Sequence, residues 1–135
     1  MQVVLGGTFD PVHDGHRALL DRAFELGDVT VGLTSDELAP KTRNVDRFVR
    51  SYEDRYEELQ AELDRYAVEY GRTYEIRELH EPTGVATEPG FDVLIVSPET
   101  ERGAEMVNDE RRENGLEPLE VEVVDHVYAE DGEII

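Results

Sequence analysis

The chain opens on a buried-strand pattern over residues 2–6 and then changes period, because from about residue 15 to 26 the apolar positions Leu19, Ala23 and Leu26 fall on one helical stripe. Gly27 closes that helix, and residues 28–34 alternate as a second strand, completing a βαβ unit of the length a right-handed crossover needs. Residues 35–48 read as a short helix followed by an irregular basic loop. Ser51, with Asp54 three residues later, makes a capping-box-like start to a long helix that runs to about Tyr70 and stops at Gly71. Its tyrosine pairs, Tyr52 with Tyr56 and Tyr66 with Tyr70, have the i,i+4 spacing of ordinary helix packing. A third strand follows over residues 73–79. Beyond a loop holding Pro82 and Pro89, residues 91–96 form a continuous apolar strand, the kind that is covered on both faces. Pro98 suits the first position of a helix reaching to about Asn114, residues 119–124 read as a fifth strand, and Asp131-Gly132 as a hairpin turn before Ile134 and Ile135. No repeat or linker interrupts this order. The predicted architecture is a single Rossmann-like, doubly wound α/β domain over residues 1–135 with a mainly parallel five-stranded sheet.

Composition narrows what such a domain can do. Its 135 residues, 39% of them apolar, suffice for one continuous core. Neither a run of eighteen apolar residues nor a leader-like start is present, so a soluble, cytoplasmic protein is expected. The absence of cysteine rules out disulfides, thiolate metal sites and cysteine nucleophiles. Thirty-three acidic residues against thirteen basic ones leave a formal charge of -20, which repels nucleic acid and anionic membrane surfaces alike. Such a surface suits a salt-filled, halophilic cytosol, where screening quiets the repulsion among carboxylates. Lys41 is the single lysine in a chain whose other basic residues are arginine, which marks it for attention.

Candidate chemistry is concentrated where the first strand ends, the end at which an open parallel sheet binds its ligands. Gly6-Gly7-Thr8-Phe9-Asp10-Pro11-Val12-His13-Asp14-Gly15-His16 gathers two permissive glycines, a hydroxyl and two imidazoles into one strand-to-helix connection. Main-chain N–H groups beside glycine can approach a phosphate, the helix start adds its positive end, and His13 and His16 are spaced to aim at one anion. The segment therefore reads as a cradle for a phosphorus centre undergoing in-line displacement. It carries neither a Walker A lysine nor the dinucleotide-binding glycine pattern.

The same segment resembles the signature of the nucleotidylyltransferases with a His-x-Gly-His motif, here His13 to His16, preceded by Gly7-Thr8-Phe9-Asp10-Pro11. Across its length the chain is similar to the phosphopantetheine adenylyltransferases of archaeal and eukaryotic type. The features that carry this are Ser97-Pro98-Glu99-Thr100 after the fourth strand, then Asn108, Arg111 and the stretch Gly115-Leu116-Glu117-Pro118-Leu119.

That resemblance implies transfer of AMP from ATP to 4'-phosphopantetheine, giving dephospho-coenzyme A and pyrophosphate, with Mg2+ bound through the ATP phosphates. It further implies that Thr8 meets the acceptor phosphate, His16 the α-phosphate, and His13 the phosphates beside it. Lys41 falls where the family places a basic residue on the acceptor phosphate. Gly7, Phe9 and Asp10 belong to the binding segment, Ser97, Glu99 and Thr100 are expected on the nucleotide side, and Arg111 is expected among the substrate-binding residues. Ser97-Pro98 is equally an ordinary helix start, and Lys41 equally a solvated surface lysine. Arg43, Arg47 and Arg55 are candidates for phosphate contacts or for surface ion pairs. His80 and His126 lie outside any motif and are expected to be structural or exposed. The family's Ser-Ser-x-x-x-Arg-type triphosphate motif would be expected to begin where the sequence ends, at Ile134-Ile135. Two alternatives remain: another transferase of the superfamily (cytidylyl-, nicotinamide-nucleotide or flavin adenylyl-), or a regulator that binds the nucleotide without catalysis.

Overall fold

The computed structural model describes residues 1–9, 12, 14–38, 50–81, 83–98 and 100–124. The elements run β1 (Gln2–Gly7), α1 (Asp14–Leu26), β2 (Asp28–Thr34), α2 (Tyr52–Tyr70), β3 (Tyr74–Leu79), β4 (Val93–Val96), α3 (Glu101–Glu113) and β5 (Glu120–Val123). Five strands form one sheet in the order β3-β2-β1-β4-β5, and each of its four pairings is parallel. The predicted fold class is thus observed. Most of the expected helix and loop over residues 35–48, and the turn at Asp131-Gly132, fall outside the described residues.

Alternation along the strands assigns side chains to two faces. Val3, Leu5, Val29, Val31, Leu33, Val93 and Ile95 point to one face, where they meet Leu20, Ala23 and Phe24 of α1 and Leu59, Leu63 and Tyr66 of α2. Val4, Leu94 and Val96 point to the other, against Ala104 and Val107 of α3 and a short 3-10 turn, Val85–Thr87. On α1 the contact row is Leu20–Ala23–Phe24, with Leu19 and Leu26 packed at its flanks, so the predicted stripe is displaced by about one position. Phe24 lies 5.6 Å from Tyr66 and 6.2 Å from Tyr70, centroid to centroid, which accounts for one tyrosine pair as core packing. Burial, then the charges of Asp21 and Glu62, pushes the Tyr66 phenol up to about 12.

The caps of α2 are those expected. Ser51 Oγ accepts from the Asp54 N–H at 3.2 Å, and Gly71 takes the left-handed conformation that ends the helix. Two boundaries differ from the sequence reading. The third helix begins at Glu101 rather than at Pro98, because residues 97–100 close a turn of their own, with Thr100 N–H donating to Ser97 O at 3.0 Å. The fifth strand begins after Leu119, whose N–H and carbonyl are both taken by the Asn108 side chain, at 2.7 and 3.1 Å. Among the described residues, no helix is long and apolar enough to cross a membrane.

Candidate active site

The chain leaves β1 toward α1 on one face of the sheet, and β4 is reached from β3 by way of the other, so the winding reverses between β1 and β4. Ligands of open α/β sheets bind beyond the carboxyl ends of the strands at such a reversal. A cleft of about 420 Å³ lies there, on the side of α3, walled by Gly6, Gly7 and Thr8 from the end of β1 and by Thr34 from the end of β2. Opposite them stand Thr100, Gly103 and Ala104 at the start of α3, over a floor that includes Leu94 and Val96.

The turn out of β1 is held against its own preference. Phe9 has φ 49, in the left-handed region that bulky residues avoid, at a cost on the order of 1–3 kcal/mol. Its ring is buried and offsets that cost by packing beneath the turn, 4.5 Å from the His16 ring at an interplanar angle of 46°. Glycine at position 7 leaves room for the Phe9 ring, since a Cβ there would stand 3.0 Å from it and force it to shift. Phe9 therefore shapes the turn and backs His16 from the core side. His16 occupies the first turn of α1, where exposed N–H groups and the helix dipole favour an anion.

Two charged residues of α2 fasten this turn. Arg55, with no exposed surface, donates from Nη1 to the Thr8 carbonyl at 3.2 Å and to Thr34 Oγ1 at 3.1 Å. Its Nε donates to the Arg50 carbonyl at 2.9 Å and its Nη2 to Asp36 at 3.3 Å. Glu58, one helical turn on, accepts from the Val12 N–H at 2.8 Å and from Arg50 at 3.1 Å. Neither Thr34 nor Glu58 was singled out from the sequence, and Arg55 was left between a phosphate contact and a surface ion pair. One signal was available: positions 55, 59, 63 and 66 share a face of α2, and the last three carry Leu, Leu and Tyr, so Arg55 sits where a buried side chain belongs.

On the far wall, Ser97 and Thr100 engage each other, Ser97 N–H donating to Thr100 Oγ1 at 3.0 Å with the two hydroxyls 3.2 Å apart. Arg111 is buried and donates to the carbonyls of Glu117, Ala86 and Glu88 at 2.7, 2.9 and 2.7 Å, stapling the loop before β4 to the end of α3. His80 is exposed, 3.5 Å from the Glu78 carboxylate. Asp10, His13, Lys41, Glu99, Arg43, Arg47 and His126 lie outside the described residues. The geometry thus brings together Gly7, Thr8 and the start of α3 around one cleft, with Phe9 and His16 packed behind the motif turn.

An open parallel sheet with this turn at its reversal and a helix start for phosphate is the framework of a nucleotide-binding transferase, and the chain belongs to the cytidylyltransferase-like family, whose model matches residues 4–135. Within that family it is similar to several archaeal phosphopantetheine adenylyltransferases. It is 41% identical to the phosphopantetheine adenylyltransferase of Methanosarcina acetivorans, over 97% of this chain and 83% of that protein. It is 39% identical to that of Archaeoglobus fulgidus, over 100% of this chain and 88% of the other. A crystal structure of a protein of unknown function from Archaeoglobus fulgidus superposes with a TM-score of 0.77 at 37% identity, covering 91% of this chain and 97% of its own. The chain is a nucleotidyltransferase of the phosphopantetheine adenylyltransferase branch.

Proposed function

We propose that the chain transfers AMP from MgATP to 4'-phosphopantetheine. A phosphate oxygen of the acceptor attacks the α-phosphorus, the bond to the β-phosphate bridging oxygen breaks, and dephospho-coenzyme A and pyrophosphate leave. The acceptor phosphate is itself the nucleophile, so the protein's task is to place two anions in line and stabilise the charge that grows between them. The observation that carries this reading is that Gly7 and Thr8, from the motif, form the wall of the cleft at the sheet's reversal. Thr8 and Lys41 are assigned to the acceptor phosphate, His16 to the α-phosphate and His13 to the neighbouring phosphates. Gly7 and Asp10 are assigned to substrate binding within the motif, Phe9 backs His16, and Ser97, Glu99 and Thr100 take the nucleotide side. Arg111 serves that side indirectly, through the loop it staples. The apolar floor of Leu94 and Val96 suits the flat face of adenine. Magnesium arrives as part of the nucleotide substrate. We read the charge of -20 as the surface of a cytoplasmic protein working in concentrated salt.

A pyrophosphate-release assay tests the reading, with ATP and CTP each paired with 4'-phosphopantetheine, nicotinamide mononucleotide and flavin mononucleotide. Turnover is expected with ATP and phosphopantetheine alone, and Lys41→Ala is expected to raise KM for phosphopantetheine far more than KM for ATP. Preference for CTP or for another acceptor overturns the substrate assignment, and ATP binding without turnover overturns the catalytic one.

A further inference from the structure

The hydroxyl assigned to the acceptor phosphate sits at the end of a chain of donors that begins in the protein interior. Arg55 is fully buried, and its one carboxylate contact among the described residues, Asp36, is 59% exposed, which makes a costly charge to keep without a task. Both hydrogen bonds of its Nη1 group end on the same small region: the Thr8 carbonyl at 3.2 Å and Thr34 Oγ1 at 3.1 Å. Thr34 Oγ1 in turn donates to Thr8 Oγ1 at 3.0 Å. A guanidinium can only donate, so the Thr34 oxygen accepts from it and passes its own single proton to Thr8. With its oxygen already accepting from Thr34, the Thr8 hydroxyl does not spend its proton on Thr34 and faces every other partner as a donor. That is the polarity an anion requires, and a hydroxyl rotating without such a partner would present it only part of the time. The remaining donors of Arg55 hold the relay still, since Arg50 and Asp36 flank in sequence the segment that carries Lys41.

We propose that Arg55 and Thr34 are positioning residues that fix the Thr8 hydroxyl as a hydrogen-bond donor to the phosphate of the acceptor, a relay Arg55 to Thr34 to Thr8. The inference rests on the assignment of Thr8 to that phosphate. Removing the middle member costs acceptor binding and leaves the nucleotide untouched, because only Thr8 loses its orientation.

The test compares Thr34→Val, Thr34→Ser, Thr8→Val and the double variant Thr8→Val/Thr34→Val in steady-state assays, with each melting temperature measured first. Thr34→Val is expected to raise KM for phosphopantetheine about tenfold, the scale of one hydrogen bond to a charged group, with KM for ATP within about twofold of the parent. Thr34→Ser, which keeps the hydroxyl, is expected to restore the parent value to within about threefold. The double variant is expected to be no worse than Thr8→Val alone, because residues acting in series do not add. Additive losses, or equal rises in both KM values, overturn the relay and leave Thr34 a packing residue. If Thr34→Val does not fold, Arg55→Lys takes its place, since an ammonium keeps the charge but not the fork, and the same acceptor-selective rise is expected. Thr8→Val with unchanged KM for phosphopantetheine sinks the acceptor assignment and the relay with it. A defect in Thr8→Val that neither Thr34→Val nor Arg55→Lys reproduces sinks the relay alone.

Discussion

On one face of the sheet α1 and α2 close an aromatic-rich core around Phe24, Leu59, Leu63 and Tyr66, and on the other α3 and the 3-10 turn Val85–Thr87 cover a smaller set that leaves a cleft of about 420 Å³. Among the described residues, each face contains one buried arginine. Arg55 directs its donors at the turn that walls the cleft, whereas Arg111 directs its donors at carbonyls of the loop that borders it. The closed face supplies rigidity and the open face supplies room, and the motif turn is where the first is delivered to the second.

If that division is right, Phe24→Ala, on the closed face, produces the largest loss of stability, roughly 3–5 kcal/mol by urea unfolding, with KM for ATP unchanged in protein that remains folded. A loss under about 1 kcal/mol would show that the aromatic cluster is not packed as described. Two turns earlier on the same helix, His16→Ala separates the faces more sharply, because its imidazole acts at the turn rather than in the core. It is expected to lower kcat by about two decades or more while the melting temperature barely moves. Activity within a few-fold of the parent would remove the role assigned to it. The converse experiment is Gly103→Leu on α3, where an added Cβ would meet nothing within 4 Å and the cleft is adjacent. There KM for ATP is expected to rise about tenfold, while replacing a glycine in the first turn of the helix leaves stability unchanged or raises it by up to about 1 kcal/mol. A fall in stability with ATP binding intact would assign that wall to the core. Salt has the mildest effect and moves the two regions in opposite directions. Potassium chloride is expected to raise the melting temperature most steeply below about 1 M, where the Debye length shrinks to about 3 Å, and to weaken ATP binding over the same range. A melting temperature that stays flat contradicts the salt-adapted reading of the surface.

Much of this division is written in local patterns. The alternation of residues 28–34, the capping box at Ser51 and the glycine stop at Gly71 are short-range signals, and each element they mark forms in place. Gly7 to His16 announces its chemistry because a phosphate cradle needs those residue types in succession. The parts that stayed hidden depend on the fold as a whole. Thr34 is an ordinary strand-end threonine until β2 lies beside β1 and brings its hydroxyl to Thr8. The positive φ of Phe9 has no composition signature, since phenylalanine rarely adopts it and only the surrounding contacts hold it there. Arg111, expected among the substrate-binding residues, meets carbonyls 23 and 25 residues away in sequence, a pairing no local spacing foretells.

The all-parallel sheet also has a consequence for how the chain is made. None of the five described strands pairs with its sequence neighbour through a hairpin, and the central strand β1 completes its second edge only with β4, Val3 pairing with Val93 about ninety residues later. At roughly 5–20 residues per second on the ribosome, that edge waits on the order of 5–20 s after its own emergence, with Val3 and Val4 open to pairing with any extended segment nearby. Nascent chains on one message therefore meet while their central strand is half finished, and mutual repulsion between acidic chains guards that interval before any folded surface exists to need it.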